Sequence, residues 1–416
     1  MNLIRTSILT FISTIITMLS ALVVNKAIAI YIGPSGLALI GQFRNFSQLV
    51  MTVAKGGINN GVTKYTAEYG KENKRIPILF STAGKISLYS SLVVGLAIIL
   101  FSKHASLYFL QTQVYTYIFI IFGFTIVLFV INSLLLTIIN GLREIKTWVI
   151  INIVQSIYSL IFTSLLIFFL GLDGALIALV TNQSIILLVI LWMLRKHPII
   201  QYKSFKQKFN TLEAKKLAKF SAMAITSALT IPISHLIIRN YIGETLSWED
   251  AGYWQAMWYI SGMYLMVVTT TLSIYYLPKL SSVTDKLKLR KEMIQGYQIV
   301  IPIVVLASIS VYLLRDFIIW LLFTKDFTPM RELFLWQLIG DVFKIAALLI
   351  ANLLHAKAMM KTYISTEIIF SISFVLLSIW FVSKFGLVGM SYSFAANYAI
   401  YFISMIVLTK SQWSGN

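Results

Sequence analysis

Apolar runs of about twenty residues return along the whole chain, each closed by a short polar stretch. They lie near residues 8–30, 37–58, 78–101, 114–139, 148–170, 174–194, 218–240, 253–277, 294–314, 332–354, 363–382 and 387–409. A helix of that length crosses a hydrocarbon layer of ~30 Å, and it satisfies every backbone polar group within itself. The pattern predicts an all-α polytopic membrane protein with 12 transmembrane helices. The runs are continuous and do not alternate residue by residue, which argues against a β-barrel. The first run is too long for a cleavable signal and leads straight into the second.

Composition agrees. Of 416 residues, 58% are hydrophobic and 12% charged, against about a quarter charged in soluble proteins. There is no cysteine, so disulfides, thiolate metal sites and a cysteine nucleophile are all excluded. The net charge of +19 would suggest nucleic acid as partner of a soluble protein; here the placement of the cations decides. The connections after the even-numbered runs hold KYTAEYGKENKR, GLREIK, RKHPIIQYKSFKQKFNTLEAKKLAK, KLSSVTDKLKLRK and HAKAMMK. With both ends of the chain they carry 23 of the 34 Lys and Arg, and the opposite connections carry six. The positive-inside rule makes the basic set and both termini cytoplasmic, and no nucleic-acid partner is expected. Five cations remain in or near the spans, Lys26, Arg44, Lys55, Lys85 and Lys344, together with the acids Asp341 and Glu367.

The longest basic connection, 195–219, divides the spans six and six. The expected organisation is a six-helix lobe at 1–200, a basic cytoplasmic linker at 201–217 and a second six-helix lobe at 218–416. Tyr31-Ile32-Gly33 followed by Gly36 and Gln42 is echoed by Tyr241-Ile242-Gly243 followed by Gly252 and Gln255. An even number of spans per half gives a parallel repeat, with its pseudo-twofold along the membrane normal and a cleft between the lobes.

Two spans carry polar stripes. On the second, Arg44, Gln48, Lys55 and Asn59 fall within about 60° of arc at helical spacing. A charge at the centre of a span costs roughly 2.5–3.5 kcal/mol to insert, so a stripe of them points to water or an anion. Alternatively, Arg44 and Lys55 lie close enough to the span ends to snorkel apart. On the tenth, Gln337, Asp341, Lys344, Asn352 and His355 share about 80°. Asp341 and Lys344, three apart, can form a structural pair, or Asp341 can be a titratable carboxylate of the kind a proton-coupled carrier needs. A milder stripe, Thr6, Thr10, Ser13, Thr17 and Ser20, reads as helix packing through small residues. Cations outnumber acids inside the membrane, so the expected guest is an anion; the arginine fork and the lysine point charge both suit phosphate oxygens. Tyr253, Trp254, Trp258, Tyr259 and Tyr264 serve either as a sugar-stacking surface or as an interfacial belt.

Other chemistry is missing. No G-x-x-x-x-G-K-[ST] exists to cradle ATP, and His104, His197, His235 and His355 show no metal spacing. No cofactor is expected. The external connections are only about a dozen residues, too short for a large external active site, so a carrier is expected and not an enzyme.

GPSGLALIGQFRNFSQLV with GINNGVTKYTAEY, SWEDAGYWQAMWYIS running on to SIYYLPKLS, and LLRDFIIWLLFTKDFTPMRELFLWQLIGDVFKIAA resemble the Wzx-type flippases. These form the polysaccharide-transport branch of the multidrug/oligosaccharidyl-lipid/polysaccharide (MOP) exporter superfamily. The likeness covers most of the chain in order and is weaker in spans three to six. It implies a MATE-like fold of two six-helix lobes in the bacterial inner membrane. It also implies an undecaprenyl-diphosphate-linked oligosaccharide substrate, moved from the cytoplasmic to the periplasmic leaflet by alternating access on an ion gradient. O-antigen, capsule and enterobacterial common antigen units are the cargoes of such proteins. Membrane lipids and assembly proteins such as a polymerase and a chain-length regulator are the implied partners. In the matching blocks Arg44, Lys55, Lys64, Asn59, Gln42, Gln48, Arg239 and Lys344 are the candidate substrate-binding residues, and Asp341 the candidate ion-coupling residue. Lys64 can equally be an orientation charge, and Arg239 an anchor at the outer end of its span. Two alternatives stay open: a multidrug or cation exporter, which would need an acidic pocket, and a membrane enzyme acting on the same glycolipid.

Overall fold

The computed structural model describes the backbone of residues 3–272, 276, 279–280, 283, 285–356 and 359–413. It describes side chains from residue 12 onward, without 219–220, 222–224, 226–227, 271, 355–356, 360 and 411–413. Among the described residues there are helices and no strand. The long helices are α1 (Leu3–Tyr31), α2 (Gly33–Ala54), α4 (Ile76–Leu100), α6 (Thr116–Gly141), α7 (Ile145–Leu194), α8 (Thr211–Thr245), α9 (Trp248–Thr271), α10 (Lys286–Leu313), α12 (Phe334–Ala356), α13 (Met360–Phe385) and α14 (Val388–Trp413). Each of the twelve predicted spans falls on one of them. The spans near 148–170 and 174–194 are both in α7, which breaks at Gly171. Among the described residues, eight of these helical stretches are long and apolar enough to cross a membrane by length and composition. The spans on α2, α8 and α9 are not among these eight.

Three connections expected as loops hold short α-helices: α3 (Asn59–Tyr69), α5 (Ser102–Leu110) and α11 (Arg315–Leu322), the last followed by a 3₁₀ helix at Lys325–Leu333; the 195–219 connection holds a 3₁₀ turn at Tyr202–Phe205. Local chemistry starts several elements. Pro34 and Pro77 stand in the first turns of α2 and α4, where the missing N–H is not needed. Ser247 Oγ accepts the Asp250 amide at 3.0 Å, and Asp285 accepts the Lys288 amide at 2.8 Å, capping α9 and α10.

The second helix ends at Ala54, short of the predicted 58. Lys55 caps it, and Gly56 and Gly57 follow at φ +69° and +64°, a left-handed backbone that side chains resist. A new helix, α3, then sets off at Asn59. The rotation of α2 therefore does not carry through to Asn59, and the four-residue stripe predicted there is cut to three.

The chain forms two compact units: residues 1–32 with 39–232, and residues 33–38 with 233–416. In the first, α1 lies along α7 and α4 along α6. A methyl at Gly95 would sit 2.5 Å from the Gly123 carbonyl oxygen, so α4 and α6 approach through small residues as membrane helices do. The α1 stripe serves packing: Ser13 and Ser20 are buried, and Thr17 Oγ1 meets Ser156 Oγ of α7 at 2.8 Å. The side chains of Thr6 and Thr10 lie outside the described set. In the second unit α12 packs on α14 and α10, around Leu349, Ile350, Leu353 and Met405. Both units expose Leu, Val, Ile and Phe side chains, Val93 and Phe124 at 69% and 70%, as expected where the solvent is lipid.

Candidate functional site

In the second unit, one cluster gathers most of the polar residues predicted on α12. Asp341 is fully buried. Its Oδ2 accepts Ser261 Oγ at 2.7 Å and the Tyr264 hydroxyl at 2.9 Å, both from α9. Gln337 Nε2 reaches the same Ser261 at 3.4 Å, and Tyr264 also meets Ser308 of α10 at 3.2 Å. Asp341 Oδ1 is buried and makes no hydrogen bond.

Asp341 and Lys344 do not form an ion pair. The lysine Nζ instead lies 4.8 Å from the Trp258 ring centroid and 5.8 Å from that of Tyr398, a cation over aromatic faces. Instead α9 supplies the hydrogen bonds to the carboxylate, and rings supply the lysine's surroundings.

Trp258 continues the cluster toward α8. His235 packs with ring centroids 4.3 Å from Trp258 and 5.3 Å from Trp254. One turn further, the Arg239 guanidinium lies 5.4 Å from the Trp254 ring and donates to Gln255 Oε1. Arg239 is buried, so it does not anchor the end of its span at an interface. Trp254 is buried too, and Trp258 half-buried; they look into the unit and are not an interfacial belt. The indole N–H groups of Trp254 and Trp258 and the Asn352 amide nitrogen are buried without a hydrogen bond. The side chain of His355 lies outside the described set. The arrangement thus holds two cations, one carboxylate, aromatic faces and unused donors. Such a surface can hold an anionic group through the cations and a sugar through the rings.

In the first unit Arg44, Gln48 and Lys55 remain on one face of α2, within about 40° of arc and about 16 Å apart end to end. Arg44 and Lys55 are half-buried and Gln48 is exposed. Gln42 is fully buried. Asn59 has left the stripe and donates to Ser133 Oγ of α6 at 3.0 Å. Lys64 stands apart on α3, exposed, with its Nζ 5.4 Å from the Tyr65 ring. Lys85, another of the cations near the spans, donates to the Gln207 carbonyl at 2.8 Å, which ties down the 195–219 segment.

Single-sequence reasoning missed His235, Gln255 and Ser261. Their signal was the spacing of His235 and Arg239, four apart on α8, facing the Trp254, Trp258, Ser261 series on α9.

The fold is that of the MOP superfamily transporters. An inward-facing multidrug resistance MATE family transporter of that superfamily matches with a TM-score of 0.79 at 14% identity, over 96% of this chain and 94% of its own. The lipid II flippase MurJ in an inward closed conformation matches with a TM-score of 0.72 at 16% identity, over 98% of this chain and 87% of its own. Closer likeness lies in sequence: the lipid III flippases of Escherichia coli K12 and Shigella flexneri are each 31% identical over 402 residues, 97% of both chains. Residues 3–284 match the family described as polysaccharide biosynthesis protein. The chain belongs to that family, and it is a multi-pass membrane protein.

Proposed function

We propose that this protein is a flippase for undecaprenyl-diphosphate-linked oligosaccharides. It carries them from the cytoplasmic to the periplasmic leaflet of the bacterial inner membrane by alternating access, and it catalyses no covalent step. The observation that carries the reading is the likeness to the lipid III flippases along 97% of the chain. The cation-and-aromatic cluster of the second unit supports it. In this reading residues 1–200 and 218–416 act as two six-helix lobes joined by the basic linker at 201–217, with both termini cytoplasmic. In the first unit Arg44 and Lys55 bind phosphate with Gln48 beside them on α2, and in the second Arg239 and Lys344 are the cations that suit an anionic group. Trp258 and its neighbours offer their faces to the sugars. Asp341 takes up and releases the coupling proton, and its charge sets the local field at Lys344 one helical turn away. A polymerase and a chain-length regulator are the assembly partners this reading expects.

A cationic drug is the wrong guest for this cluster, because Lys344 and Arg239 already lie against the rings that would have to hold it. The test is transport of a labelled undecaprenyl-diphosphate oligosaccharide in proteoliposomes with and without a pH gradient. Wild type is expected to flip it and to respond to the gradient. Failure with several oligosaccharides, together with extrusion of cationic dyes, would replace the flippase by a drug exporter.

A further inference from the structure

The 195–219 segment carries eight Lys and Arg and one acid, Glu213. A segment that served only to orient the chain would need charge and no shape. This one is docked on the first unit. Ser81 Oγ donates to the carbonyls of Phe205 at 2.9 Å and Gln207 at 2.6 Å. The Asn210 amide donates to Thr82 Oγ1 at 3.2 Å, and Phe205 stacks on Phe80 with centroids 6.0 Å apart. The single acid is already engaged: Glu213 accepts the Tyr69 hydroxyl at 2.9 Å and pairs with Lys216 at 3.0 Å.

With its inner side fixed, the segment presents a defined outer side. Lys203, Lys206 and Lys208 are exposed there. So are three apolar side chains that the docking leaves out, Tyr202 at 76%, Phe209 at 47% and Leu212 at 69%. Lys206 Nζ lies 4.5 Å from the Tyr202 ring, so cation and aromatic share one patch. Exposed apolar groups set among lysines match the boundary between acyl chains and anionic headgroups, where apolar area and charge attraction act together.

We propose that the outer face of residues 202–212 binds anionic phospholipid headgroups of the adjacent leaflet. Phosphates sit at Lys203, Lys206 and Lys208, and Tyr202, Phe209 and Leu212 enter the interfacial layer. The inference rests on the orientation proposed above only for which leaflet is meant.

The test uses full-length protein in nanodiscs of phosphatidylcholine, with or without phosphatidylglycerol. Amide hydrogen exchange is followed over 201–212, and retained lipid is counted by native mass spectrometry. Phosphatidylglycerol is expected to slow exchange there and to be retained over phosphatidylcholine. Replacing Lys203→Gln, Lys206→Gln and Lys208→Gln should weaken retention about fivefold per lysine, and the three Lys→Arg variants should keep it. High salt should reduce the protection. Equal exchange in both lipids, equal retention by the Gln variants, or preference for undecaprenyl phosphate over phosphatidylglycerol would overturn the proposal. Sidedness is read separately: Tyr202→Cys gives the cysteine-free chain one thiol, which an impermeant maleimide should reach only in opened cells. Labelling in intact cells would overturn the orientation, while the nanodisc comparison, with both leaflets alike, would still decide the lipid question.

Discussion

Replacing Asp341 by Asn should separate the fold from the coupling. The asparagine oxygen can take the place of Oδ2 and keep the bonds from Ser261 and Tyr264, while its NH₂ replaces an Oδ1 that makes no hydrogen bond. Shape and most contacts survive; the charge and the proton site do not. Asp341→Ala instead strands both hydroxyls, at about 1–3 kcal/mol for each buried polar group left unsatisfied. Because Tyr264 keeps Ser308 at 3.2 Å, the loss should fall near the lower end, about 2–4 kcal/mol in all. Thermal unfolding of the purified proteins should therefore place Asp341→Asn close to wild type and Asp341→Ala well below. In proteoliposomes, a pH difference of one unit supplies about 1.4 kcal/mol per proton, a tenfold distribution of cargo. Asp341→Asn should still equilibrate a labelled lipid-linked oligosaccharide but lose that tenfold accumulation. If the variant accumulates cargo in proportion to the gradient, as wild type should, Asp341 is not the coupling group. If Asn is no more stable than Ala, the hydrogen bonds assigned to Oδ2 are wrong.

Arg44→Ala and Lys55→Ala should each slow flipping about 10- to 100-fold, the worth of one charge-assisted hydrogen bond to phosphate, with normal insertion; normal surface polysaccharide from both variants would remove the α2 stripe from the substrate path. Gly33→Ala, at φ +78° in open space, should lose only the left-handed strain of about 1–2 kcal/mol. Gly57→Ala adds an overlap with the Ser221 backbone at 2.9 Å, for a total of about 2–5 kcal/mol, so equal melting temperatures for the two would contradict the packing described. At the Lys71–Glu144–His197 cluster, burial pushes the Glu144 carboxyl up, but hydrogen bonds from Lys71 and His197 outweigh it and hold it below its ordinary value. A depressed carboxyl stabilises the fold above the unfolded value of about 4.5 and loses that contribution as pH falls through its folded value. Glu144→Gln should accordingly flatten the acid side of the stability profile and leave the alkaline side unchanged, as read by unfolding scans across pH.

The stripe on α12 was legible because one unbroken helix carries Gln337, Asp341 and Lys344 at spacings of four and three. On α2 the same count overran, because periodicity assumes a constant rotation and Gly56–Gly57 reset it; the glycine pair was itself the break signal. What surrounds Asp341 and Lys344 could not be read the same way. Ser261, Tyr264 and Trp258 meet them only through the packing of α9 on α12, which no single helix determines. Trp254 and Trp258 were ambiguous for a chemical reason: amphipathic rings suit a membrane interface and a buried cation equally well. Arg239 was left between two roles because a charge near a span end has water as its cheaper destination; its contacts with Trp254 and Gln255 show that it turned inward.

The contact units do not coincide with the halves of the gene. Residues 33–38, the start of α2, group with the C-terminal unit, and residues 207–232, most of them in α8, group with the N-terminal one. A coding sequence severed in the basic linker would produce two polypeptides, each carrying a stretch that the other needs. Neither should accumulate when expressed alone. Co-expressed, they should rescue one another only by trading those stretches during insertion, so that complementation depends on simultaneous synthesis and mixing of separately purified fragments fails.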